Sequence, residues 1–179
     1  MLALVLGGCA TARAQRATRP LPYSTASANL VQPQPRFGSC HARGSGLFTL
    51  PDPGCTPGAI DPEVTQANVQ LTICRRGYTN AFRPAESITK PEKRASMAAY
   101  GDTGLLRDHE YDHLVPLELG GARNDARNLW PEPGASPNPK DELEDRLRSM
   151  ACMHEITLAA ARLEIAGNWV RAYRRLVTR

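Results

Sequence analysis

One run constrains the fold of this chain more than any other: Asp112-His113-Leu-Val-Pro116-Leu-Glu-Leu-Gly120-Gly121, followed by a short polar stretch, by Asn128-Leu-Trp130, and by Lys140-Asp141. Apolar residues that alternate up to a Gly-Gly pair predict a strand and a tight turn, and the Asn-Leu-Trp segment predicts the returning strand. Such a hairpin presents one imidazole and one carboxylate at a single place, the pairing that a metal-assisted hydrolase uses. From Tyr111 to Leu119 a regular strand would turn Asp112, Leu114, Pro116 and Glu118 to one face and Tyr111, His113, Val115, Leu117 and Leu119 to the other. His113 then falls on the apolar face, where a core role competes with a functional one. Pro116 cannot donate to a ladder, so the strand is expected to be irregular or at an edge. The Asn128 amide is suited to bridging backbone groups across the loop.

Asn138-Pro139-Lys140-Asp141 has the chemistry of a helix start, with Asn as cap, Pro at the first helical position and Asp in the first turn. Leu143, Leu147 and Met150 follow at helical spacing just before Cys152, which predicts one apolar face laid on the hairpin. A hairpin crossed by a helix is a ββα unit, so the expected class is α+β. Thr157 predicts the cap of a further helix from Leu158 to about Ala166, with Trp169, Val170 and Leu176 packing the chain end. Upstream, residues 61–74 predict a short helix and residues 77–84 an extended arm. Thr89-Lys-Pro91 reads as the opening of a helix that stops at Gly101, with Lys90, Lys93 and Arg94 on a solvated face.

The proline and glycine content, 15 and 14 residues, is concentrated in the first two thirds of the chain, which predicts one domain spanning residues 37–179 of the 179. Residues 1–14 read as an export signal: Leu2 to Ala10 is apolar but shorter than the roughly 20 residues a bilayer needs, and Ala12-Arg13-Ala14 offers a small-x-small cleavage pattern. Leu6-Gly7-Gly8-Cys9 also resembles a lipobox, which would attach the mature chain to a membrane through Cys9. Residues 15–36, poor in apolar side chains, read as a flexible linker. The net charge of +4 favours an anionic partner only mildly, because the excess sits in Arg13, Arg16 and Arg19 and in Arg171, Arg174, Arg175 and Arg179. An aromatic content of 6% argues against a stacking platform for single strands.

Apart from Cys9, the cysteines are Cys40, Cys55, Cys74 and Cys152, with no C-x-x-C pair, a pattern that fits two disulfides better than a zinc cluster. Cys40 and Cys55 flank a Gly/Pro-rich segment in need of a staple, which leaves Cys74 for Cys152. Four reduced, buried cysteines are the competing state.

Asp-His-x-x-Pro-Leu, Gly-Gly, Asn-Leu and a downstream Asn before Lys resemble the HNH endonucleases, whose ββα-metal fold is shared by colicin DNases. The wording Leu-Glu-Leu-Gly-Gly, Asn-Leu-Trp-Pro-Glu-Pro and Lys-Asp-x-x-Glu is similar, more narrowly, to small HNH-like bacterial proteins. The resemblance is strong over residues 108–152, extends more weakly back to Cys74-Arg-Arg-Gly-Tyr-Thr and forward to Trp169, and leaves residues 1–60 outside.

The resemblance implies that His113 is the general base, that Asp112 binds a divalent metal and that Asn128 holds the hairpin loop. Asn138 stands near the family's third position, a metal ligand, although its spacing to Lys140 is two residues where many members have three, and Glu144 is an alternative ligand. Lys140 and Arg123 would hold the scissile phosphate, with Arg127 a further nucleic-acid contact. Phosphodiester hydrolysis needs a nucleophilic water and compensation for charge on the leaving oxygen; an imidazole of pKa about 6.5 supplies the first and a hard cation the second. An Asp with an Asn amide suits Mg²⁺, with Mn²⁺, Ni²⁺ or Zn²⁺ as alternatives, the last two better held if His109 joined. No zinc finger or reading helix is present, so DNA contact, or RNA contact, would be to the backbone. The expectation is an exported, monomeric, sequence-nonspecific nuclease, periplasmic, envelope-associated or secreted. Its rivals are an inactive HNH-like nucleic-acid-binding module and a disulfide-stapled envelope lipoprotein without a nucleic-acid role.

Overall fold

The computed structural model describes residues 20–178. The signal-like residues 1–14, the lipobox with Cys9 and the basic residues before 20 lie outside the described residues. Six regular elements appear in chain order: α1 (Tyr78–Phe82), α2 (Glu86–Ala99), β1 (His109–His113), β2 (Leu129–Pro133), α3 (Pro139–Cys152) and α4 (Leu158–Leu176). The protein is a mixed α+β fold with a two-stranded antiparallel sheet, in which Asp112 pairs with Trp130 and His113 with Leu129.

The strand expected to run to Leu119 stops at His113. Leu114, Val115, Leu117 and Leu119 are all buried, so burial here does not alternate with position. Pro116 leads into a turn of 3-10 helix, Leu117–Leu119, and Gly120 follows at φ 67°, a left-handed conformation open to glycine at little cost. Gly121 has no substitute, because a Cβ there would lie 1.7 Å from the Val115 carbonyl oxygen. The Asn128 side chain, fully buried, closes this loop. Its Oδ1 accepts from the backbone N–H groups of Val115 (3.0 Å) and Ala59 (3.3 Å), and its Nδ2 donates to the carbonyls of Val115 (2.9 Å) and Ala122 (3.1 Å).

α3 starts as its residues dictate. The Asn138 Oδ1 accepts from the Lys140 and Asp141 N–H groups while the Asp141 carboxylate accepts from the Asn138 N–H, a reciprocal cap with Pro139 in the first turn. Leu143, Leu147 and Ala151 bury one face of α3 among Ile73, Leu114, Leu158 and Ile165. α4 is capped by Thr157 and is broken at Asn168 (φ −167°, ψ 88°), whose Oδ1 accepts from the Arg171 N–H and starts the last turns anew. Trp169 donates its indole N–H to the Thr49 carbonyl at 3.1 Å, fastening α4 to the chain before the hairpin. No helix among the described residues is long and apolar enough to cross a membrane.

Four expectations are corrected. Residues 20–36 are part of the domain rather than a linker: the Ser24 N–H donates to the Ile60 carbonyl and the Ile60 N–H to the Pro22 carbonyl, the Gln32 N–H meets the Glu92 carboxylate at 2.6 Å, and Asn124 donates to the Leu30 carbonyl. Polar partners supplied by distant elements order this segment, so its lack of apolar side chains is no guide. Residues 78–82 form a helix after Gly77 (φ 79°), not an arm, because Tyr78 and Phe82 pack one turn apart with ring centroids 4.5 Å apart. α2 begins at Glu86, with Pro91 inside it, since burial of Glu92, Ser96, Met97 and Ala99 outweighs the lost N–H. The helix in residues 61–74 is 3-10, Gln66–Leu71, capped by Thr65.

Both expected disulfides form, Cys40–Cys55 and Cys74–Cys152, the latter closing a separation of 78 residues. Cross-links of this kind persist outside the reducing cytoplasm and are compatible with an extracytoplasmic protein. Replacing Cys74 and Cys152 by Ser is expected to lower the unfolding free energy by about 3–5 kcal/mol. Denaturant unfolding under non-reducing conditions measures this, and an unchanged midpoint and slope would contradict it.

Candidate functional site

β1 ends by delivering Asp112 and His113 to one place, both nearly buried at 7% and 9% exposure. The His113 Nε2 lies 2.9 Å from the Arg123 carbonyl oxygen. A carbonyl only accepts, so Nε2 carries the proton and Nδ1 keeps its lone pair. Nδ1 makes no hydrogen bond to a described residue. Burial pulls the His113 pKa below its usual value, against the opposing pull of the Arg123 carbonyl and of Asp112, so the ring is neutral at neutral pH.

A cleft of about 160 Å³ opens on these two residues. Glu110, Asp112 and His113 of β1 form one wall, Asp141, Glu144 and Asp145 of α3 another, and Thr79 and Arg83 stand at the end of α1. Beneath it the Lys140 ammonium is completely buried. It contacts the Asp112 carboxylate at 2.7 Å and the Glu144 carboxylate at 2.5 Å, and donates to the His113 carbonyl at 2.8 Å. Burial acts to lower the Lys140 pKa, but the carboxylates of Asp112, Glu144 and Glu132 outweigh it and hold the ammonium above its usual range. One ammonium does not neutralise this much acid. Burial and repulsion from Asp112 push Glu132, 2% exposed, well above the ordinary carboxylate range, and the same two causes push Glu110 up to about 7.

Of the residues named from the sequence, the structure brings Asp112, His113, Glu144 and Lys140 together. It corrects the roles of four. Lys140 has no exposed surface and its donors are engaged, so it cannot hold a phosphate. The Asn138 oxygen is committed to the α3 cap and is not a metal ligand. Arg123 pairs with Asp61 at 2.8 Å and lies over the Phe82 ring at 4.0 Å; its backbone carbonyl, not its guanidinium, serves the site. Arg127 pairs with Asp125 at 2.7 Å away from the cleft. His109, which would only have supplemented a zinc or nickel site, instead contacts Asp102 at 2.7 Å and the Leu105 carbonyl at 3.3 Å. Asn128 acts through the loop backbone, as described above. Sequence reasoning missed Arg83, Glu110 and Glu132. The Glu110-x-Asp112 spacing on one strand face was the available signal for Glu110, and Tyr-Thr-x-x-x-Arg83, with Thr79 and Arg83 one helical turn apart, was the signal for Arg83.

The resemblance to HNH proteins implies a divalent metal, and the donor chemistry fits one. The Asp112 Oδ2, Glu110 Oε2 and Glu132 Oε2 atoms are buried with no hydrogen-bond donor among the described residues, Asp112 Oδ2 being met only by the Lys140 ion pair. Among the described residues no three His, Cys, Asp or Glu side chains form a ready-made cage. Magnesium needs none, since it takes one or two carboxylates and keeps several waters. Asp112 and Glu144, both lining the cleft, would hold it. Comparison with family models, with curated proteins and with solved structures gave no match.

Glu110 makes stability pH-dependent with a definite sign. The folded protein keeps this proton to about 7 while the unfolded chain releases it near 4.5, so the fold binds more protons in between and loses stability as pH rises through that window. The melting temperature of wild type, relative to Glu110→Gln, is expected to fall from about pH 5 to about pH 8, and Mg²⁺ is expected to restore part of it at the upper end. Thermal melts measure this; parallel profiles for the two proteins would contradict it.

Proposed function

We propose that this protein is a metal-dependent nuclease of the HNH type that hydrolyses phosphodiester bonds in DNA without sequence preference. The single observation that carries this reading is the state of His113: a neutral ring, its Nε2–H given to the Arg123 carbonyl, beside the Asp112 carboxylate at a cleft. The order of hairpin and α3 supports the ββα assignment, and the Asn128 amide cross-link supports the loop role that the resemblance implies.

In this reading the substrate phosphate enters the cleft and a water stands near His113 Nδ1, which takes its proton as the water oxygen bonds to phosphorus and the bond from phosphorus to the leaving sugar oxygen breaks, that oxygen taking a proton from solvent. The Arg123 carbonyl holds the tautomer and steadies the imidazolium that results. A divalent cation, when bound by Asp112 and Glu144, compensates charge on the phosphate and leaving oxygens. Lys140 keeps Asp112 ionised and in place without touching substrate. With two disulfides and the signal-like residues 1–14, the site of action is outside the cytoplasm, in the envelope through Cys9 or secreted.

One observation favours a second reading, that of an HNH-like binding module without turnover: the Lys140 ammonium already stands between Asp112 and Glu144. Nicking of supercoiled plasmid separates the two. Wild type is expected to nick with Mg²⁺, Mn²⁺, Ni²⁺ or Zn²⁺, and folded His113→Ala to lose about 10²-fold or more in rate. The acid limb of the rate profile is expected below the usual histidine value of about 6.5. Full activity in His113→Ala sinks the proposal. Absence of nicking with every metal, together with retention on DNA at low salt, selects the module, and absence of both selects a protein with no nucleic-acid role.

A further inference from the structure

The cleft has six carboxylates in its lining, Glu110, Asp112, Glu118, Asp141, Glu144 and Asp145, and one guanidinium, that of Arg83. In so acidic a setting an arginine would ordinarily be tied into an ion pair. The neighbouring cations are: Arg123 to Asp61, Arg127 to Asp125, and Lys140 to Asp112 and Glu144. Arg83 is exposed and, among the described residues, takes part in no ion pair or hydrogen bond. Its positive charge is nonetheless felt at His113 and Glu110 of β1 and at Glu118 in the loop that follows.

Its position is built rather than incidental. Arg83 follows α1 directly, and α1 is anchored at both ends. Four residues before its first residue, Cys74 is tied to Cys152 at the far end of α3. At its C-terminal end Phe82 packs on Tyr78 at 4.5 Å and carries the Arg123 guanidinium at 4.0 Å on its ring. The residue whose carbonyl orients His113 therefore also buttresses the helix that presents Arg83. Thr79, one turn earlier on α1, adds a hydroxyl to the same wall. A guanidinium fork, with five donors and no internal partner, matches the oxygens of a phosphate.

We infer that Arg83, with Thr79 beside it, is the phosphate clamp of the cleft and holds the backbone phosphate of a nucleic-acid strand opposite His113. This assignment rests on the nucleic-acid reading of the same cleft. It replaces Lys140 and Arg123 in that role.

Binding and cleavage are measured separately so that the two ideas fail separately. Binding uses a short labelled DNA duplex with Mg²⁺ and the His113→Ala protein, titrated over salt concentration. Adding Arg83→Ala is expected to weaken binding about tenfold at low salt and to reduce the slope of log affinity against log salt by about one, the signature of one lost phosphate contact. Arg83→Lys is expected to keep most of the slope. Arg146→Ala, which removes an exposed charge of α3 outside the cleft, is expected to leave the slope unchanged, and circular dichroism confirms that each variant folds. If Arg83→Ala binds like its parent, or no more weakly than Arg146→Ala, the clamp is wrong even where wild type nicks plasmid. If wild type does not nick but binding depends on Arg83, the nuclease reading fails and the clamp stands. If His113→Ala and wild type both fail to bind DNA, both ideas are overturned.

Discussion

A single buried ammonium holds the centre of this protein together. Lys140 and its partner Glu144 belong to α3, while its other contacts, Asp112 and the His113 carbonyl, belong to β1. The helix is thereby locked onto the hairpin at the residues of the candidate site. Burying such charges is costly, and removing one partner from a buried pair typically destabilises by about 3–5 kcal/mol, because the other charge remains without compensation. The arrangement leaves a surplus of acid around one cation, with Glu110 and Glu132 held partly by protons instead of partners. An oxygen-rich, electronegative cleft is the direct result.

Around that centre, neutral amides and carbonyls do the positioning. Asn128 ties together four backbone groups, and through the loop it closes, the Arg123 carbonyl is brought to His113. Arg162 of α4 reaches the other side of this loop, donating to the carbonyls of Leu119, Gly120 and Val64 and pairing with no carboxylate among the described residues. Burial pulls the Arg162 pKa down to about 10, against the opposing pull of Tyr23 and Asp61. Two polar side chains from distant parts of the chain therefore fix one turn, and the imidazole inherits its orientation from that turn. Glu92 and Asn124 extend the same logic to residues 27–32, which they fasten over the neighbouring segment.

Local signals were legible where the physics is local. The cap at Asn138-Pro139, the cap at Thr157, the turn at Gly120-Gly121 and the returning Leu129-Trp130 are each determined within a few residues, and each is where the residues indicate. The strand end at His113 was not legible, because buried apolar residues from Leu114 to Leu119 look alike whether they alternate across a sheet or fill a loop. The start of α2 was misread by one turn since proline rules describe isolated helices, while packing of its buried face sets the actual start. Residues 20–36 looked disordered because composition measures what a segment can bury and not the hydrogen bonds that distant residues offer it.

By itself the sequence determined the α+β character, the hairpin with its following helix, and the adjacency of Asp112 and His113, and it pointed to two disulfides whose pairing the tertiary structure decided. These depend on short-range spacing or on cysteine arithmetic. Which charged side chain faces the cleft was decided only in three dimensions. Lys140, Arg123 and Arg127 are cations within or just after the motif, and Arg83 lies well before it in sequence. Burial removes the first, the carboxylates of Asp61 and Asp125 take the next two, and Arg83 alone of the four lines the cleft. That outcome follows from which acid lies within a few ångströms of which base, a relation between residues as far apart as 61 and 123 that no local pattern encodes.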